Sequence, residues 1–190
     1  ISLNNPGDGL IVNDTGSIEI DDLSVAVSAQ SNTNLGLIIN HGTISAVNGG
    51  IRVEGSTQSG VIDNSGLITS NASAISIDNS LVNTYITNSG SIYGLINGIE
   101  VSGSTITSGI ISNGTIAGPM NVPYNPSNAA INVDSSLIQG GISNSGYIAL
   151  TNQGIQVANS SLSGDIQNSG TIISGTWAGF SLRNSAVTGD

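Results

Sequence analysis

The chain has 190 residues, 26 glycines, no cysteine and a formal net charge of −10, which excludes disulfides, thiolate metal sites and nucleic-acid binding through phosphate neutralisation. Arg52 and Arg183 are its only cationic side chains besides His41, so an anionic membrane surface is an equally poor partner. Aromatic residues make up 3%, too few for a large globular core, while the aliphatic residues suffice for a thin one.

Taken in chain order, residues 1–9 carry Pro6 and read as an irregular lead-in, with Ile1 and Leu3 as a partial strand. From Leu10 a pattern recurs. Ile62-Asp63-Asn64-Ser65-Gly66-Leu67-Ile68 returns as Ile86-Thr87-Asn88-Ser89-Gly90-Ser91-Ile92, as Ile142-Ser143-Asn144-Ser145-Gly146-Tyr147-Ile148 and as Ile166-Gln167-Asn168-Ser169-Gly170-Thr171-Ile172. A looser copy is Ile38-Ile39-Asn40-His41-Gly42-Thr43-Ile44. The final isoleucine falls at Ile18, Ile44, Ile68, Ile92, Ile116, Ile148 and Ile172, in steps of 26, 24, 24, 24, 32 and 24 residues. Self-similarity at a fixed period marks a repeat architecture.

A second signature keeps the same period: Val25-Ala26-Val27, Ile51-Arg52-Val53, Ile75-Ser76-Ile77, Ile99-Glu100-Val101, Ile131-Asn132-Val133, Ile155-Gln156-Val157 and Phe180-Ser181-Leu182. Its apolar-polar-apolar alternation is that of a strand with one buried face. A third column, Val82, Ile106, Ile138, Leu162 and Val187, is interrupted by Gln58. The unit of 24 residues is therefore predicted to hold three short strands separated by Gly, Ser and Asn turns. The fold expected is all-β: a single-domain parallel β-helix over 1–190, a solenoid of seven to eight coils. At the inter-strand spacing of about 4.8 Å, seven coils make a rod about 35 Å long.

Asn40, Asn64, Asn88, Asn144 and Asn168 each follow an inward isoleucine by two residues, so their amides are predicted to point inward and to hydrogen-bond along the column. Ser112 takes the same position in one coil. The glycine two residues later is expected to turn the chain with a positive φ. The 32-residue step contains an eight-residue insertion at 119–126, which holds three of the four prolines and must loop out of a corner. Counting on from Leu182, the next inward isoleucine would follow Asp190, and Gly189-Asp190 joined to Ile1 would resemble Gly164-Asp165-Ile166. The two ends are thus expected to be in phase, so that copies stack head-to-tail or the segment belongs to a longer rod. Beginning at Ile1, it reads as a mature or excised segment.

The Asn-Ser-Gly-x-Ile turn followed by Gly-Ile-x-Val resembles the passenger rods of bacterial autotransporters and related β-helical adhesins, over nearly the whole chain. That resemblance implies export to the bacterial cell surface and a role as adhesin or stalk. The expected function is a non-catalytic structural rod of an extracellular protein, with itself or adjoining coils as partner and no membrane insertion by this segment.

Three further expectations concern sites. Tyr124 and Trp177 are placed at one corner about two coils apart, where Asn128, Thr151 and Asn152 can supply hydrogen bonds to a host or matrix glycan. Glu54 and Asp78 stack one coil apart, a weak Ca²⁺ site at best, and no other cofactor is expected. Asn13-Asp14-Thr15, Asp21-Asp22 and His41-Gly42 resemble fragments of the polygalacturonase signature, but the chain has no lysine and the spacings do not match, so it is not read as an enzyme.

Overall fold

The computed structural model describes residues 1–31, 34–119, 128–150, 152–175 and 177–189. Among these, every strand pairing is parallel, each strand lying against its equivalents in the coils above and below. The architecture is the parallel β-helix that the repeat predicts. Outside the insertion it has 24 residues per coil through the middle of the rod, as from Ile51 to Ile75 and Ile99, and longer steps in the first and last coils, as from Leu10 to Ile38 and from Ile155 to Phe180.

The coil has four strands, not three. In one complete coil they are Tyr85–Asn88, Ser91–Gly94, Ile99–Ser102 and Thr105–Ile106. Their equivalents build a first, second, third and fourth sheet of seven, seven, seven and six strands among the described residues. The correction has a local cause. Asn88 and Gly90 bend the chain in the middle of the repeated motif, so Ile86 and Ile92, which flank the bend, belong to two different sheets.

Register is kept by stacking like on like. Ile75 pairs with Ile51 and with Ile99, and Ile77 with Val53 and Val101. Across the insertion Ile99 pairs with Ile131 and Ile116 with Ile148, so the eight added residues leave the columns aligned. A full coil contributes five aliphatic side chains to the interior, in the coil named above Ile86, Ile92, Ile99, Val101 and Ile106, all buried, while buried Gln58 takes the fifth place in the coil of Ile51. One apolar cluster runs from Leu3 to Leu162. Burial of each such side chain is worth about 1.5–3 kcal/mol, which only stacking can provide, since a lone coil would leave both its faces in water.

The glycines of the Asn-Ser-Gly corner do not have positive φ, contrary to expectation. They are required for space instead. A Cβ on Gly66, Gly90 or Gly114 would lie 2.1–2.2 Å from the backbone oxygen of the glycine one coil below. Positive φ is concentrated at the corner between the third and fourth sheets, in the column Ser31, Gly55, Asn79, Gly103, Ser135, Asn159 and Asn184.

The ends are not in phase either. Ser2 pairs with Ser28, and Ile1 and Leu3 exchange backbone hydrogen bonds with Ser28. Ile1–Leu3 thus prolongs the third sheet, whereas the predicted join needs it in the first, beside the Ile166 column. A copy whose Ile1–Leu3 continued the third sheet beyond Phe180–Arg183 would carry its own Leu10–Val12 one coil too high. One strand's place in each of the first and second sheets would stay unfilled.

Candidate functional site

The corner between the first and second sheets holds the predicted ladder. Asn40 Nδ2 donates to Asn64 Oδ1 at 2.7 Å, Asn64 Nδ2 to Asn88 Oδ1 at 2.8 Å, and Asn144 Nδ2 to Asn168 Oδ1 at 2.6 Å. Ser112 stands in the column as expected and accepts from Asn88 at 3.3 Å. Asn64 also donates to the carbonyls of Gly66 and Ser91, so its amide closes the corner as well as the column. Asn40, Asn64, Asn88 and Asn144 are buried and Asn168, in the last coil, is exposed. Apart from Asn40 Oδ1, which is buried without a partner among the described residues at the start of the column, the ladder's buried amides bond one another and join coil to coil.

Sequence reading missed a second ladder. Ser56, Ser80, Ser104 and Ser136 each donate a backbone N–H to the Oγ of the serine one coil on, at 3.0–3.1 Å, and Ser160 does the same to Ser185. Each of these hydroxyls donates to the carbonyl two residues before it, as Ser80 does to Asp78 at 2.7 Å. The signal was present: these serines recur with the period of the isoleucines. In a chain this rich in serine it is hidden by composition.

Glu54 and Asp78 do lie one above the other in the third sheet, with Ser102 and Asp134 continuing the column. Between them sits Arg52, whose Nε is 3.5 Å from Glu54 and 3.6 Å from Asp78. Gln30 donates to Glu54 at 3.2 Å and Ser76 to Asp78 at 2.7 Å. The chain's own guanidinium supplies the positive charge that the expected Ca²⁺ would have brought, and ion pairing replaces metal binding as the reading of this pair. Among the described residues no group of three or more His, Asp or Glu gathers that could hold a metal ion.

The aromatic corner is only partly as predicted. Trp177 is 53% exposed, and its backbone N–H donates to the carbonyl of Asn152. Asn128 and Asn152 are buried, so their amides do not face a surface ligand. Tyr124 and Thr151 lie outside the described residues.

One pair has the spacing of a base and a nucleophile: His41 Nδ1 and Ser65 Oγ, 2.6 Å apart at an exposed turn. Acyl transfer also needs donors aimed at a developing oxyanion. Here the N–H groups of Ser65 and Gly66 donate to Asn40 O and that of Leu67 to Gly42 O. They are committed to joining coils.

The last coil presents the cross-section of the core. Ile166 and Ile172 are only partly buried, and Phe180, Leu182 and Val187 are exposed, although each stands in a column that is buried one coil below. Comparison with protein families, with curated proteins and with solved structures finds no match. The class to which the chain belongs is therefore defined by its own architecture, a parallel β-solenoid held by internal amide and hydroxyl ladders.

Proposed function

We propose that the chain is a non-catalytic structural rod of an extracellular protein at a bacterial surface, serving as a stalk. The observation that carries this reading is the uninterrupted stacking of seven coils, in which the recurring polar side chains bond to one another and the recurring apolar ones fill the axis. The repeat is spent on rigidity along one direction. A surface location is supported by the resemblance of the Asn-Ser-Gly-x-Ile repeat to exported adhesin rods.

On this reading the apolar end made by Ile166, Ile172, Phe180 and Leu182 is covered by a further β-coil of the same register. Four strand edges are open there to backbone pairing, and solenoids need their terminal coil covered to stay soluble. The test is a fusion that appends one coil after Asp190, with Asn in the ladder position and polar residues on its outer face. Size-exclusion chromatography over a concentration series and negative-stain electron microscopy are then run on both chains. The unfused chain is expected to associate through its end and the fused one to give separate short rods with a higher melting temperature. Equal melting temperatures and identical elution would refute the role given to the end face. Particles without rod shape in either sample would refute the stalk itself.

A glycan-binding role for the corner rests, among the described residues, on Trp177 alone. Loss of glycan binding in Trp177→Ala with the fold intact would favour it.

A further inference from the structure

The outer faces of the sheets differ in charge. Among the described residues the third sheet carries Arg52, Glu54, Asp78, Glu100, Asp134 and Arg183 on its outward positions, whereas the first carries Asp63 alone and the fourth no charged residue. The second has one charged residue on its outer face, Glu19, in the first coil, and is set apart from the first and fourth by its two aromatic rings. From Thr43 to Ser174 its outward positions are Thr, Ser, Leu, Tyr, Ala and Ile. In a chain of net charge −10, this face is neutral over six consecutive coils.

Two rings stand on it. Tyr93 is 38% exposed and Tyr147 is 41% exposed, and neither phenol hydroxyl has a hydrogen-bond partner among the described residues. Tyr93 pairs with Ala117, and Ala117 with Ala149, two residues beyond Tyr147. The tyrosines are therefore two coils apart along the rod and two residues apart across it, about 12 Å between their backbones. The residues between them, Thr115 and Ala117, are short and leave a side of both rings open to solvent. Ser91, Thr115 and Thr171 add hydroxyls alongside, and Leu67 and Ile173 extend the apolar part beyond each ring.

We propose that the second sheet is a binding face for an uncharged polysaccharide lying along the rod. The chemistry fits that partner on three counts. Pyranose rings present flat C–H faces that stack on aromatic rings, and their hydroxyls pair with Ser, Thr and Tyr hydroxyls. A face without charge neither repels nor selects a neutral polymer, whereas a nucleic acid or a charged glycan would meet no counter-charge on it. A flat sheet matches an extended chain and offers nothing that would enclose a small molecule.

The experiment is sedimentation of the whole chain with insoluble cellulose, chitin and (1→3)-β-glucan, each at low salt and in 1 M NaCl (about a 3 Å screening length). Retention on at least one of the three, unchanged by salt, is expected. In Tyr93→Ala/Tyr147→Ala the bound fraction should correspond to a dissociation constant raised about tenfold, the loss that two ring contacts would cause. Tyr85→Ala, on the first sheet, should bind as the parent does. A circular dichroism melt of each variant confirms that the coils are intact. Retention on none of the polymers, retention abolished by salt, or retention unaffected by the double substitution would each overturn the proposal. Loss in Trp177→Ala alone would place binding at the corner instead. None of these outcomes bears on the stalk, which is read from particle shape.

Discussion

Asn88 donates through Nδ2 to Ser112 Oγ at 3.3 Å, and there the amide ladder stops. Asn144, next in the column, directs its Oδ1 to the N–H of Gly146 at 3.2 Å rather than to the coil below. Ser112 is buried between two asparagine-sized neighbours in register, so an amide fits the space that its hydroxyl leaves. Ser112→Asn is expected to join the two halves of the ladder and to stabilise the chain by about 1 kcal/mol, one net hydrogen bond. A urea denaturation series measures this; an unchanged or lower midpoint would mean that the column is already satisfied.

Removing an amide should cost according to burial. Asn64→Ala removes one of the three acceptors of Asn40 Nδ2, which keeps the carbonyls of Gly42 and Leu67, and takes from the buried Asn88 Oδ1 its donor, inside the coil. About 1–3 kcal/mol of destabilisation is expected, the cost of leaving the buried Asn88 Oδ1 without a donor. Asn168→Ala, where water replaces the lost partners, should cost less than about 1 kcal/mol. Similar losses at both sites would show that the ladder does not act through desolvation.

The two glycine columns predict different mutational costs. At Gly90 an added Cβ would sit 2.2 Å from the carbonyl oxygen of Gly66, so Gly90→Ala must push two coils apart and is expected to cost about 3 kcal/mol. At Gly55, with φ of +57° and its nearest neighbour 3.9 Å away, Gly55→Ala meets only the torsional penalty of about 1–2 kcal/mol. The same penalty runs in reverse at Ser135, which adopts φ of 51° in the same column. Ser135→Gly should raise the melting temperature. Thermal unfolding of the three variants side by side tests the ordering.

Arg52 keeps Glu54 and Asp78 compatible. Arg52→Gln leaves two stacked carboxylates without their counter-charge, at a cost of less than about 1 kcal/mol because all three groups are partly solvated. The informative measurement is the melting temperature with and without millimolar Ca²⁺. No shift is expected for the parent chain and an upward shift for the variant. A Ca²⁺-dependent shift in the parent would restore the metal reading.

How much was legible in the sequence follows from what each feature depends on. The period, the five aliphatic columns and the asparagine column were readable because a solenoid repeats its environment. Whatever one coil buries, the next must bury at the same offset. The coil's four-sided shape was not readable, because Ile86 and Ile92 look like the two ends of one turn until Asn88 is seen closing a corner between two sheets. The serine ladder was hidden for a related reason. Ser80 uses both its N–H and its hydroxyl, and only the neighbouring coil distinguishes it from the many serines that face water.

By itself, then, the sequence determined the class of fold, its period and its inward residues, since these follow from the spacing of side chains along one strand direction. The tertiary structure decided what depends on distances between coils. It turned the corner glycines from a matter of φ into one of space, and placed Arg52 between two carboxylates. It drew Asn128 and Asn152 inside, and set Ile1–Leu3 in the third sheet. Those contacts join residues of different coils, and the closeness of two coils is a property of the folded rod that no single stretch of sequence contains.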